Sequence, residues 1–95
     1  MMPIPQTHPE TQDIISVCGV LVQVHPDKQE ATEVRMKQIS GLEIHGASDD
    51  GKLVVTVETD SYKKTGDAIS TLQYVEGVLS ASMIYQHAED LRVED

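Results

Sequence analysis

The chain has 95 residues, 39% of them apolar, and a formal charge of −9 from 16 acids against 7 bases. This is the size of one small domain, and its charge excludes the clustered Lys and Arg footprint of a nucleic-acid or anionic-membrane binder. The lone cysteine, Cys18, excludes an internal disulfide and a Cys-rich metal site.

In chain order, residues 1–13 (MMPIPQTHPETQD) hold three prolines and no periodicity, and are expected to form a flexible Pro-rich tail. They have no basic, apolar leader, and no later run approaches the about 20 apolar residues of a membrane span. A cytoplasmic protein with no membrane insertion is the expectation.

Residues 14–24 (IISVCGVLVQV) are β-branched and largely apolar, the pattern of a strand covered on both faces. His25-Pro26-Asp27 breaks the strand, and Pro26 and Asp27 suit the first turn of a helix over about residues 27–39. Thr32, Met36 and Ile39 share one face of that helix, and Ser40-Gly41 stops it. Leu42–Ala47 alternates as a short strand. Asp50-Gly51 is the strongest signal of a hairpin turn, and Lys52–Glu58 is the partner strand. Thr59-Asp60-Ser61 supplies N-caps for a second helix over about residues 61–74, with Tyr62, Thr65, Ile69 and Leu72 on one face. Gly77 marks a turn into a last strand, Val78–His87. Residues 88–95 form an acidic tail.

The order βαββαβ predicts an α+β, ferredoxin-like sandwich over residues 14–87, with two helices on one face of a four-stranded antiparallel sheet of order 4-1-3-2. Strict alternation places Val20, Val22, Val24, Leu42, Ile44, Leu53, Val55, Val57, Leu79, Ala81, Met83 and Tyr85 against the helices. The opposite face then holds Gly19, Leu21, Gln23, Glu43, His45, Ala47, Val54, Thr56, Glu58, Ser80, Ser82, Ile84 and Gln86. Leu21, Val54 and Ile84 make its centre apolar, small residues surround them, and Glu43 and Glu58 form an acidic rim. A solvated sheet face is largely polar. Three readings stand: a shallow dock for a partner, a homodimer through open sheets, or scattered surface aliphatics. A slip of one residue in register would exchange the two faces.

Catalytic patterns are lacking. The histidines at 8, 25, 45 and 87 have no metal-ligand spacing, and Cys18 reads as a buried, inert thiol. There is no Gly-rich phosphate loop, nucleophile elbow or paired-carboxylate motif. RNA-binding domains of this topology stack bases on strand aromatics, which the first and third strands here lack. The subtraction leaves a binding module that needs no cofactor.

Three segments carry a family resemblance: VCGVLVQVHPDK at 17–28, GLEIHGASDDGKLVVTVE at 41–58 and VEGVLSASMIYQHAED at 75–90. Together they resemble the NapD family over about residues 17–90. The first helix departs from the family pattern, with Gln29 and Thr32 where Leu or Ile is usual. The resemblance implies a ferredoxin-like cytoplasmic chaperone and no enzyme. It implies binding to the twin-arginine signal peptide of the precursor of NapA, the molybdenum-containing periplasmic nitrate reductase. Export is then held back until the cofactor is inserted and the client is folded. On that reading the peptide-binding residues are Gly19, Leu21, Gln23, Glu43, His45, Val54, Thr56, Glu58, Ser82, Ile84 and Gln86, in a monomer or weak homodimer. The alternatives of other classes are a small-molecule-binding regulatory domain and a structural homodimer of the same fold.

Overall fold

The computed structural model describes residues 14–90. The tail expected at 1–13 lies outside them, as do residues 91–95. The elements are β1 (Ile14–Val24), a 3₁₀ turn (Pro26–Lys28), α1 (Gln29–Met36), β2 (Leu42–Ala47), β3 (Lys52–Thr59), α2 (Tyr62–Gln73) and β4 (Val78–Asp90). The sheet order β2-β3-β1-β4 is the expected 4-1-3-2 read from the other edge, and every pairing is antiparallel.

Local chemistry explains the elements. Pro26 opens the 3₁₀ turn, where its missing N–H leaves no bond unmade. The expected 27–39 helix is thus a short turn followed by two turns of α-helix. Ser61 caps α2, its hydroxyl accepting the Lys64 N–H at 3.0 Å. Gly51 has φ +90°, the left-handed backbone that the 48–51 hairpin turn requires.

Both helices cover one face of the sheet. Val20, Val22, Val24, Leu53, Val55 and Val57 are fully buried there beneath Met36 and Leu72. Removing each from water contributes about 1.5–3 kcal/mol. On α1, Thr32 and Met36 are buried and Val34 is exposed, and Ile39, in the turn just after the helix, packs beside the core. Thr32 Oγ1 donates to the Lys28 carbonyl at 2.8 Å, so this polar residue is buried without an unmet hydroxyl. On α2, Thr65 and Leu72 are buried and Ile69 packs against the core, but Tyr62, the first residue of the helix, is exposed.

Cys18 is buried, and burial pushes its thiol pKa up, consistent with an unreactive core residue. Beside it a hydroxyl network replaces apolar packing. Thr65 Oγ1 lies 3.1 Å from Ser16 Oγ and 2.7 Å from Thr59 Oγ1, and Thr59 Oγ1 donates to the Ser61 carbonyl at 2.7 Å.

Strict alternation fails in two strands. In β4, Val20 pairs with Met83 and Gly19 with Tyr85, so Ile84 is an extra residue. A second irregularity leaves Leu79 unpaired between Val78 and Ser80. In β2, Ile44 pairs with Val55 and Gly46 with Val54, leaving His45 as the extra residue. Each such bulge reverses the alternation beyond it. Tyr85, expected against the helices, therefore shares a row with Gly19 on the open face. Gln86, expected on the open face, pairs with Cys18 in a core-side row, and Ala47 pairs with Leu53 likewise. Leu79 is exposed rather than core, and Met83, though in the Val20 row, is half exposed. The last strand also continues three residues past the expected end at His87, through Ala88 and Glu89 to Asp90.

Candidate functional site

Among the described residues no helix lies on the open face of the sheet. Residues paired across antiparallel strands point to the same side, so the register lays the face out in rows. One row is His87–Val17–Glu58. The next is Tyr85–Gly19–Thr56–Glu43, then Ser82–Leu21–Val54–Gly46, and last Ser80–Gln23–Lys52. The apolar centre is real: Leu21 is 39% exposed and Val54 46%, side by side on the two central strands. Ile84 sits in the β4 bulge, 56% exposed, between the Leu21 and Gly19 rows.

Small neighbours keep the centre accessible. Ser82 and Gly46 flank Leu21 and Val54 in their row. Gly19 is different, because it is covered. A Cβ at Gly19 would run into the ring of Tyr85, so the ring lies over the bare backbone of β1.

Charge is distributed unevenly. Glu43, Thr56, Glu58 and Asp60 line a shallow depression of about 420 Å³ with Ile15 at one end of the face. His45 Nε2 lies 2.7 Å from Thr56 Oγ1 and 3.6 Å from Glu43 Oε1, so the β2 bulge turns this imidazole onto the open face. None of the ion pairs among the described residues involves Glu58. At the other end Lys52 is paired with Asp50 at 3.5 Å, and Gln23 Nε2 donates to the Asp50 carbonyl at 2.9 Å. The Ser48 hydroxyl first, and Lys52 second, hold the Asp50 carboxyl pKa below its ordinary value.

Of the sequence-derived candidates, Gly19, Leu21, Gln23, Glu43, His45, Val54, Thr56, Glu58 and Ser82 lie together on this face, with Ile84 at its β4 bulge. Gln86 does not join them. Tyr85, His87 and Val17 share the face but were missed. Alternation had assigned Tyr85 to the core, and the only sequence signal to the contrary was the Gly19 opposite it.

A larger cleft of about 670 Å³ opens on the helix side between α1 and α2, lined by Arg35, Ile39, Asp60, Lys64, Ala68 and Val75 among others. Lys64 Nζ closes on Asp60 Oδ1 at 2.8 Å, but the buried oxygen makes no well-angled hydrogen bond, so charge attraction holds the contact. Among the described residues no three His, Cys, Asp or Glu side chains converge in a metal-holding group, and no helix is long and apolar enough to cross a membrane.

The model of the NapD protein family matches residues 15–90 of this sequence. The chain belongs to the NapD family. Chaperone NapD of Escherichia coli strain K12 is 29% identical over 76 residues, covering 78% of this chain and 86% of that protein. Chaperone NapD of Shigella flexneri shows the same identity and coverage. The solution structure of the E. coli Tat proofreading chaperone protein NapD superposes with a TM-score of 0.71 at 26% identity, covering 85% of each chain. The ferredoxin-like fold is thus shared with a solved NapD. The relatives named here are chaperones, not enzymes.

Proposed function

We propose that this protein is a cytoplasmic chaperone that binds the twin-arginine signal peptide of a periplasmic nitrate reductase precursor, NapA. Binding would restrain export until cofactor insertion and folding are complete. The observation that carries the reading is the uncovered sheet face, where the exposed Leu21–Val54 pair lies next to an acidic end formed by Glu43 and Glu58. A twin-arginine leader has the complementary pattern of a basic segment followed by an apolar one. The Tat proofreading role of the E. coli relative supports the same client class.

The two parts of the face contribute differently. Leu21 and Val54 remove apolar surface from water at roughly 25 cal/mol per Å² before ordering costs are met. Glu43 and Glu58 are exposed, so each ion pair contributes about 1 kcal/mol or less. Leu21→Asp is expected to weaken binding of a synthetic NapA leader by about tenfold or more, because it places an unpaired charge under the peptide. Glu58→Gln costs less. Calorimetric titration checks the order. If Leu21→Asp and Val54→Asp, both still folded, bind the leader like the unaltered chain, the sheet face is not the site. A homodimer through this face would instead exclude the leader, and light scattering with and without peptide separates the two.

A further inference from the structure

We propose that the Tyr85 ring, lying over Gly19, is the seat on which this chaperone stacks an arginine guanidinium of its client, and that it makes the site prefer Arg over Lys. The inference rests on the signal-peptide reading above and adds the residue that sets its specificity.

The bulge at Ile84 puts the ring there. Were Ile84 an ordinary paired residue opposite Gly19, alternation would turn Tyr85 to the helix side. Gly19 then makes the position usable, since any side chain on β1 would occupy the space the ring fills. A ring serving only as packing would be sealed, but Tyr85 is 50% exposed and keeps part of its surface open to a partner.

The surroundings select the occupant. Tyr85 stands in the row between the apolar Leu21–Val54 pair and the His87–Val17–Glu58 row, and Glu43 closes its own row on β2. Aliphatic client side chains are served by Leu21 and Val54. An exposed ring over β1, with Glu58 one strand beyond it in the next row and Glu43 two strands beyond it, suits a planar cation, which would stack on the ring while its N–H groups point toward Glu58. A lysine ammonium presents no plane to stack and no fork for a carboxylate. Lys52 is the only Lys or Arg in the open-face rows among the described residues. It lies at the far end, tied to Asp50, so no lysine or arginine among the described residues of this face competes for the ring.

The test uses the full chain and two synthetic leaders that differ only in carrying Arg-Arg or Lys-Lys at the basic motif, titrated by calorimetry. The unaltered chain is expected to prefer the Arg-Arg leader. Tyr85→Leu is expected to reduce that preference about fivefold, and Tyr85→Phe, which keeps the ring, to restore most of it. An Arg-over-Lys ratio left unchanged by Tyr85→Leu overturns the proposal even if both affinities fall, since that result describes an apolar contact; the signal-peptide reading then still stands. Failure of the unaltered chain to bind either leader overturns both readings.

Discussion

Single residues decide how this sheet is used. Gly19 lies in the middle of a central strand, where glycine ordinarily weakens a strand. Here it is where the Tyr85 ring rests. Ser16, Thr59 and Thr65 do comparable work inside. Their hydroxyls satisfy one another at the junction of β1, β3 and the start of α2, where an apolar residue at 65 would leave the buried Ser16 hydroxyl without the Thr65 partner. Thr65→Val keeps the shape and removes the shared hydroxyl. It is expected to cost about 1–3 kcal/mol of stability in a urea melt, the penalty of leaving buried polar groups unsatisfied. A change well below that range would mean that water can enter and replace the Thr65 hydroxyl.

Among the elements, β4 is the informative one. It is an edge strand of 13 residues, longer than any other in the sheet, with Leu79, Met83, Ile84 and Tyr85 all exposed. A long, flat, apolar edge invites pairing with another chain, and bulges are a common way to prevent it. Its two irregularities fall at Leu79 and Ile84, among those apolar residues. Deleting Ile84 would make the strand regular from Met83 into Tyr85 while keeping Tyr85 opposite Gly19. The deletion is expected to leave the fold intact by amide NMR and to raise self-association in sedimentation. A variant that stays as monomeric as the parent would remove the protective role of the bulge. The first helix is the weak partner of the pair: only Thr32 and Met36 are buried on α1, and one of these is polar.

The whole chain carries a formal charge of −9, and on the open face of the sheet the charge is uneven. Acids gather at the Glu43–Glu58 end, and the Lys52–Asp50 pair cancels at the other. Such a field steers a basic peptide during approach more than it holds it afterwards. The association rate for a twin-arginine leader is expected to fall about tenfold or more as the screening length shrinks from about 30 Å at 0.01 M salt to about 3 Å at 1 M. The dissociation rate should change less. Stopped-flow measurement across that range checks the point, and a salt-independent association rate would remove steering from the mechanism.

The order of elements, the central position of β1 and β3, the shared helix face and the buried valines were legible because they follow from local signals. These are turn residues such as Asp50-Gly51, alternation in β3, and the fixed hand of crossover connections. The apolar centre at Leu21 and Val54 was legible for the same reason, since β1 and β3 pair without a bulge over that stretch. The facing of β4 was legible at Ser80, Ala81 and Ser82 but not at Leu79 or from the Ile84 bulge onward. Its residues are apolar on both sides, so no periodicity distinguishes one side from the other, and an extra residue leaves no mark in the alternation of a single strand. Only pairing against β1 reveals that Ile84 has no partner and that Tyr85 therefore turns outward over Gly19. The family and the existence of an open face are properties of the sequence. Which aromatic ring lies on that face was decided by how two strands meet, because register is a relation between strands and not a property of either.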